Sequence, residues 1–358
     1  IKQPFTQTLG TSNYRAGVNA GNSITSGGNH NVAVGDEAGT AITTGDQNVF
    51  IGYQAGDATT TAGFNIGIGY NALGTNILGG RSVAIGNAAL EAQNYSTATD
   101  AYNVAIGHGT GEAVTTGVQN TLIGGIAGDA LTDADYNVAV GAGALTLDTL
   151  GSTTVAIGTG ALSAQNFTSA TDTYNVAVGY DAGDRVTTGI QNTIVGALAG
   201  DAFTDADFNV AVGSKALSAD TLGSRSVAIG RSALAAQNFT SATNTYNVAV
   251  GMSAGAAVST GIRNTFLGAD TATSANTGND NVFLGYNAGT YSVATTTGSQ
   301  NTVLGSYARI GNAGDSNAVA IGHDVVGTAG FTTLGNGTAD IRAAHGNVTW
   351  NTVSDQRY

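Results

Sequence analysis

The sequence predicts an all-β fold, a repetitive β-solenoid of about 19 coils shaped as a parallel β-roll or a triangular β-helix. Three observations predict it: a five-residue unit that recurs from end to end, a spacing between its copies of 17 or 21, and a composition unlike that of ordinary globular domains. Fixed self-similarity at such a period is the mark of a stacked repeat architecture.

The unit reads polar–apolar–small–apolar–Gly, as in Asn31-Val32-Ala33-Val34-Gly35, Asn48-Val49-Phe50-Ile51-Gly52 and Ser82-Val83-Ala84-Ile85-Gly86. An early copy is Asn13-Tyr14-Arg15-Ala16-Gly17, and a degenerate one ends the series at Gly335. From Gly35 onward the closing glycines step by 17, 17, 17 and 21, three times over. These steps make a superperiod of 72, so Gly35, Gly107, Gly179 and Gly251 are equivalent. The longer repeat repeats its letters as well: Ala92-Gln93-Asn94-Tyr95, Ala164-Gln165-Asn166-Phe167 and Ala236-Gln237-Asn238-Phe239.

Each element of a coil follows from its residues. Val-Ala-Val alternates with period two, which sends both valines to one face and the alanine to the other. The closing Gly can take positive φ and turn the chain. A second small segment such as Tyr180-Asp181-Ala182-Gly183 follows, and then a Thr/Gly/Asn-rich turn such as Thr115–Asn120. No stretch has helical periodicity. One repeat is therefore one coil with one or two short strands, stacked on the next by main-chain hydrogen bonds, with interior slots expected to hold Val, Ile, Leu and Ala. A rise of about 4.8 Å per coil would make the stack on the order of 90 Å long. So thin a solenoid buries too little surface to be stable alone, which predicts association with further copies of itself.

Composition sets the outer limits. Of 358 residues 54 are Gly, 1 is Pro, 10% are charged and 42% hydrophobic. A disordered Gly/Thr tract would combine low hydrophobicity with high net charge. The formal net charge of −13 argues against nucleic acid as a partner, and no apolar run is long enough for membrane insertion as a helix. With no Cys the redox compartment is open. The sequence starts at Ile1, consistent with a fragment whose anchor or signal lies elsewhere.

The chemistry expected of an enzyme is missing. Gly-x-Gly patterns such as Gly67-Ile68-Gly69 belong to the repeat and lack the helix a phosphate loop needs. His30, His108, His323 and His345 are isolated. The acidic groups Asp129, Asp133, Asp135 and Asp201, Asp205, Asp207 could offer oxygen ligands to Ca²⁺ but lack calcium-roll spacing, and read as solvated turns. Tracts such as Thr59-Thr60-Thr61 do not recur in register as an ice-binding face would. No cofactor or metal is expected. Tyr95, Phe167 and Phe239, with Tyr102, Tyr174 and Tyr246, sit in the longer coils, where extra length predicts a bulge or projecting loop. Asn94, Tyr95, Asn166, Phe167, Asn238 and Phe239 are accordingly the candidates for glycan contact, with packing of the rings the competing and favoured reading.

Two resemblances add to this. Ser226-Val227-Ala228-Ile229-Gly230 and Asn317-Ala318-Val319-Ala320-Ile321-Gly322 resemble the head repeat of trimeric autotransporter adhesins, from about residue 13 to 335, although the 17/21 period is longer than in those heads. That resemblance implies a parallel β-roll and a homotrimer. The ending Trp350-Asn351-Thr352-Val353-Ser354-Asp355-Gln356-Arg357-Tyr358 looks like the entry to the endosialidase-type intramolecular chaperone of phage tail spikes and fibres. It implies Ser354 as the nucleophile of a single self-cleavage, its lysine partner falling at position 359, past this sequence. Such a chaperone would align three near-identical chains whose register is weakly specified wherever neighbouring coils look alike.

The expected organisation is an N-terminal lead-in (1–12), a repetitive fibre domain (13–335) and a C-terminal segment leading to the chaperone (336–358). The expected function is a non-enzymatic structural and adhesive trimeric fibre of a phage tail. Its partners would be itself, other tail or virion proteins, and a host-surface glycan or outer-membrane receptor, at the virion tail or outside the cell. The alternatives are a bacterial trimeric autotransporter-type adhesin head and a polysaccharide-degrading tail spike.

Overall fold

The computed structural model describes residues 10–290, 297–347 and 349–352. Among them there is no helix, and the chain winds as a β-solenoid of about 19 turns with parallel stacked strands. It divides into two units, Ile1–Tyr180 and Asp181–Tyr358.

In the first unit the apolar–small–apolar core of each pentapeptide is a three-residue strand: Val32–Val34, Val49–Ile51, Ile66–Ile68, Val83–Ile85 and onward to Val176–Val178. Each pairs in parallel with the next at zero offset, Val32 against Val49 and Ala33 against Phe50. The second unit repeats this from Thr193–Val195 to Val319–Gly322. Gly35 shows why Gly closes the unit: its φ is +124°, and a Cβ there would meet the Gly52 carbonyl oxygen of the next coil at 2.6 Å.

The alternation is as expected, but its direction differs from the interior expected above. The small central residue faces inward: Ala33, Phe50, Ala84, Ala105 and Leu122 are fully buried. The flanking Val and Ile face outward, and Ile157 and Ile229 remain 37% and 40% exposed. A coil of this size cannot hold two branched side chains per strand in addition to what its second segment sends in. That segment supplies the filling. In some coils a buried Leu follows six residues after a small centre (Ala84 and Leu90, Ala139 and Leu145, Ala156 and Leu162), and in others Gly follows a large one (Phe50 and Gly56, Leu122 and Gly128). Where both positions are small, as at Ala33 and Gly39 or Ala105 and Gly111, a buried Ile42 or Val114 nine residues after the centre fills the space. A Cβ on Gly56 would lie 2.3 Å from the Phe50 ring. Large and small thus alternate to keep the interior close-packed. Leu90 adopts φ +49° to reach its slot, a conformation costing roughly 1–2 kcal/mol and offset by roughly 2 kcal/mol from burying the side chain.

The four extra residues of the longer coils build a second, two-residue parallel ladder. Gly79–Gly80 pairs with Thr99–Asp100, Gly151–Ser152 with Thr171–Asp172, and Gly223–Ser224 with Thr243–Asn244. At the far end of the second unit the parallel pattern stops. Phe331–Gly335 is the last parallel strand, Ile341–Ala344 folds back antiparallel on it, and Asn351–Thr352 is antiparallel in turn.

Candidate functional site

The polar first residue of the pentapeptide forms a buried ladder. Asn31, Asn48, Asn65, Asn103, Asn120 and Asn137 are at most 1% exposed. Each carboxamide serves two coils. The oxygen of Asn120 accepts the backbone N–H of Asn137 at 2.9 Å, and its Nδ2 donates to the Ala134 carbonyl at 2.8 Å. Asn209 and Asn264 do the same in the second unit, donating to Gly223 and Gly278. Turn carbonyls and strand amides inside the coil, which would otherwise be costly orphans, are satisfied in this way.

Once per superperiod the ladder holds Ser82, Thr154 or Ser226, too short for both bonds, and the longer coil compensates. Gln93 donates to the Ser82 hydroxyl at 3.1 Å and accepts from Asn103 Nδ2 at 2.9 Å. Gln165 and Gln237 repeat this, each donating in addition to a buried carboxylate, Asp148 or Asp220. Asp220 also accepts the backbone N–H groups of Gly223 and Phe239. Its burial, against those hydrogen bonds, pushes its pKa above the ordinary carboxylate value. In the first copy the position is Asn76, neutral and bonded to Gly79 in both directions.

The candidate glycan residues divide. Asn94, Asn166 and Asn238 are exposed, whereas Tyr95, Phe167 and Phe239 are 5%, 6% and 7% exposed and plug the widened coil. Tyr95 donates its hydroxyl to the Gly117 carbonyl at 2.7 Å, and burial raises its pKa. The exposed rings of the longer coils are Tyr102, Tyr174 and Tyr246. Ser354 lies outside the described residues, so its geometry is not part of this site.

Five of the six aspartates of the acidic groups bond to neighbouring coils, whereas the buried Asp201 Oδ1 has no hydrogen-bond partner among the described residues. Asp135 accepts the Val118 N–H at 2.7 Å, Asp207 the Ile190 N–H at 2.8 Å, and Asp129 and Asp205 accept threonine hydroxyls. Among the described residues no three His, Asp or Glu side chains converge as metal ligands. His323 lies edge-on to Tyr307, ring centroids 5.9 Å apart.

Comparison with known proteins returned no matching family model, no matching curated protein and no matching solved structure.

What faces outward is therefore the chemistry the chain offers to others. Within each unit the outward Val and Ile line up in register on the strand ladder, Val138, Val155 and Val176 in one file and Val140, Ile157 and Val178 in another. Beside them run aromatic rungs. Tyr53 and Tyr70 stack at 5.8 Å and 17°, and Tyr286 and Tyr307 meet edge-on at 5.5 Å. The apolar files were legible as an alternation; that they are the outer face could not be read without the coil's volume.

Proposed function

We propose that the chain is a structural and adhesive fibre protein of a phage tail, a homotrimer that attaches the virion to a host-surface glycan or outer-membrane receptor. Its other partners are further tail or virion proteins, and it acts without enzymatic turnover. One observation carries the reading: the outward files of Val and Ile, with Ile106, Ile123, Ile157 and Ile229 all exposed in the single chain. Apolar files of that extent mark a surface that other protein covers. Because the files repeat with the coils, the partner that matches them along their length is another copy with the same repeat. The number three comes from the likeness of the pentapeptide to adhesin heads, and the viral setting from the Ser354-Asp355-Gln356-Arg357 ending. The same pentapeptide favours a second reading, a bacterial surface adhesin head of the trimeric autotransporter kind.

The test is saturation of a host surface. Fluorescently labelled chain should bind susceptible bacteria saturably and, added in excess, block phage adsorption to them. Binding that is absent from every cell type tried, or sedimentation as a monomer at micromolar concentration, would overturn the proposal.

A further inference from the structure

The residue just before the first position of each pentapeptide is left-handed from Ser12 at φ +59° to Asn317 at φ +55°. Glycine adopts that backbone at least cost, and the chain has 54 glycines, yet none stands at this position before the degenerate last copy, where it is Gly330. The side chains there are held outward, and three sets recur at the superperiod: Phe64, Arg81, Tyr102; then Tyr136, Thr153, Tyr174; then Phe208, Arg225, Tyr246. Strand register places the members of each set on successive coils, with Ile66 beside Val83 and Val83 beside Val104 in the first set, Val210 beside Val227 and Val227 beside Val248 in the third.

In the first set the Arg81 guanidinium lies 4.6 Å from the Phe64 ring centroid and 5.8 Å from that of Tyr102. Its Nε is 3.0 Å from Asp100, so its charge is already met. In the third set Arg225 lies over Phe208, again at 4.6 Å, but the residue equivalent to Asp100 is Asn244, which accepts from Nε at 3.0 Å. The Asp207 carboxylate feels the Arg225 charge, but its Oδ1 is engaged by the Ile190 N–H. Among the described residues no carboxylate forms an ion pair with Arg225. The middle set keeps the rings and an acid, Asp172, but has Thr153 where the cation would be.

We propose that Phe208, Arg225 and Tyr246 bind a carboxylate-bearing sugar of an acidic glycan. The proposal deepens the attachment reading and rests on it. The guanidinium edge not used by Asn244 receives the carboxylate, as planar Arg forks do. The exposed Tyr246 ring on the following coil offers a flat face to the apolar C–H side of the sugar. Phe208 beneath the guanidinium restrains it by a cation–π contact.

The experiment is calorimetric titration of the full chain with tetragalacturonate and, separately, with its fully methyl-esterified form, which keeps the rings and removes the charge. The free acid should bind and the ester should bind at least tenfold more weakly. Arg225→Thr, which copies the middle set, should weaken the free acid roughly ten- to hundredfold with an unchanged melting curve. Asn244→Asp, which rebuilds the ion pair of the first set, should weaken it in the same direction, while Arg81→Thr should leave affinity unchanged. Equal binding of acid and ester, or full affinity in Arg225→Thr, would overturn the site. A chain that adsorbs to host cells but ignores the free acid defeats this inference alone. One that does neither defeats the attachment reading as well.

Discussion

At the scale of single residues, the strongest demand on this chain is the buried carboxamide at the first position of the pentapeptide. Asn137 accepts from the Thr154 N–H at 2.9 Å and donates to the Gly151 carbonyl at 3.0 Å, both inside the coil. Alanine at 137 would strand both groups. Each buried orphan costs roughly 1–3 kcal/mol, so Asn137→Ala should lower unfolding free energy by about 3 kcal/mol, measured by urea melts at equal m-value. An effect below about 0.5 kcal/mol would mean that water reaches the ladder. The pentapeptide displayed this position as polar, and its recurrence as Asn was in plain view. Its role was not legible, because the acceptor for Asn137 lies 14 residues away and the donor 17 away, distances that acquire meaning only once coils stack. The outward Val and Ile were misplaced for a similar reason: alternation separates two faces, but which face is inside depends on what the rest of the coil contributes, here Leu145 and Leu162.

At the scale of the coil, the superperiod is a repair cycle. At Ser82, Thr154 and Ser226, one rung per superperiod, the Asn is lost, and the longer coil brings Gln and an aromatic plug to replace it, with Asp148 and Asp220 as buried acceptors in the second and third copies. Phe167→Ala should remove that plug and cost about 3–5 kcal/mol, read as a lowered melting temperature; a cost under about 1 kcal/mol would show that the coil collapses to fill the gap. Asp220 makes a pH prediction. Its folded pKa is raised by burial above the ordinary 3.8, so the fold prefers the protonated form. The favourable contribution is complete below 3.8 and is lost as pH rises through the raised folded value. Asp57, Asp135, Asp201 and Asp207 are raised by burial as well and act in the same direction. Asp220→Asn, which matches Asn76 of the first copy, should therefore flatten part of the fall in stability between mildly acid and neutral pH and raise the neutral melting temperature. A variant as pH-dependent as the parent would refute the assignment. The longer step signalled that something differed in these coils; that the aromatic was its filling and not its display depended on the polar gap left by Ser82 or Thr154, which no local pattern announces.

At the scale of the whole molecule, the repeat makes two demands that can be separated. Stacked coils interact with their neighbours, so stability approximates a sum over coils and interfaces. Excising Val104–Asn175, one full superperiod, joins Asn103 to Val176 and leaves every rung with an equivalent neighbour. That deletion should still give a β-rich, cooperatively melting protein by circular dichroism. The second demand is the covering of the outward files. The outward Val, Ile and Leu of most coils are partly or wholly exposed and gain little from intrachain packing, whereas burial against a second copy contributes roughly 25 cal/mol per Å² of apolar area. Replacing Ile157 and Ile229 together by Asp should then leave the coil intact, since neither side chain fills its interior, but weaken self-association by placing charge on a dry interface. Sedimentation equilibrium of parent and double variant decides it. The parent should run as a trimer and the variant dissociate at least tenfold more readily, with β content unchanged. If the variant assembles as tightly as the parent, the files lie on the free surface and copies of the chain meet elsewhere; if it unfolds, the outward residues belong to the core after all.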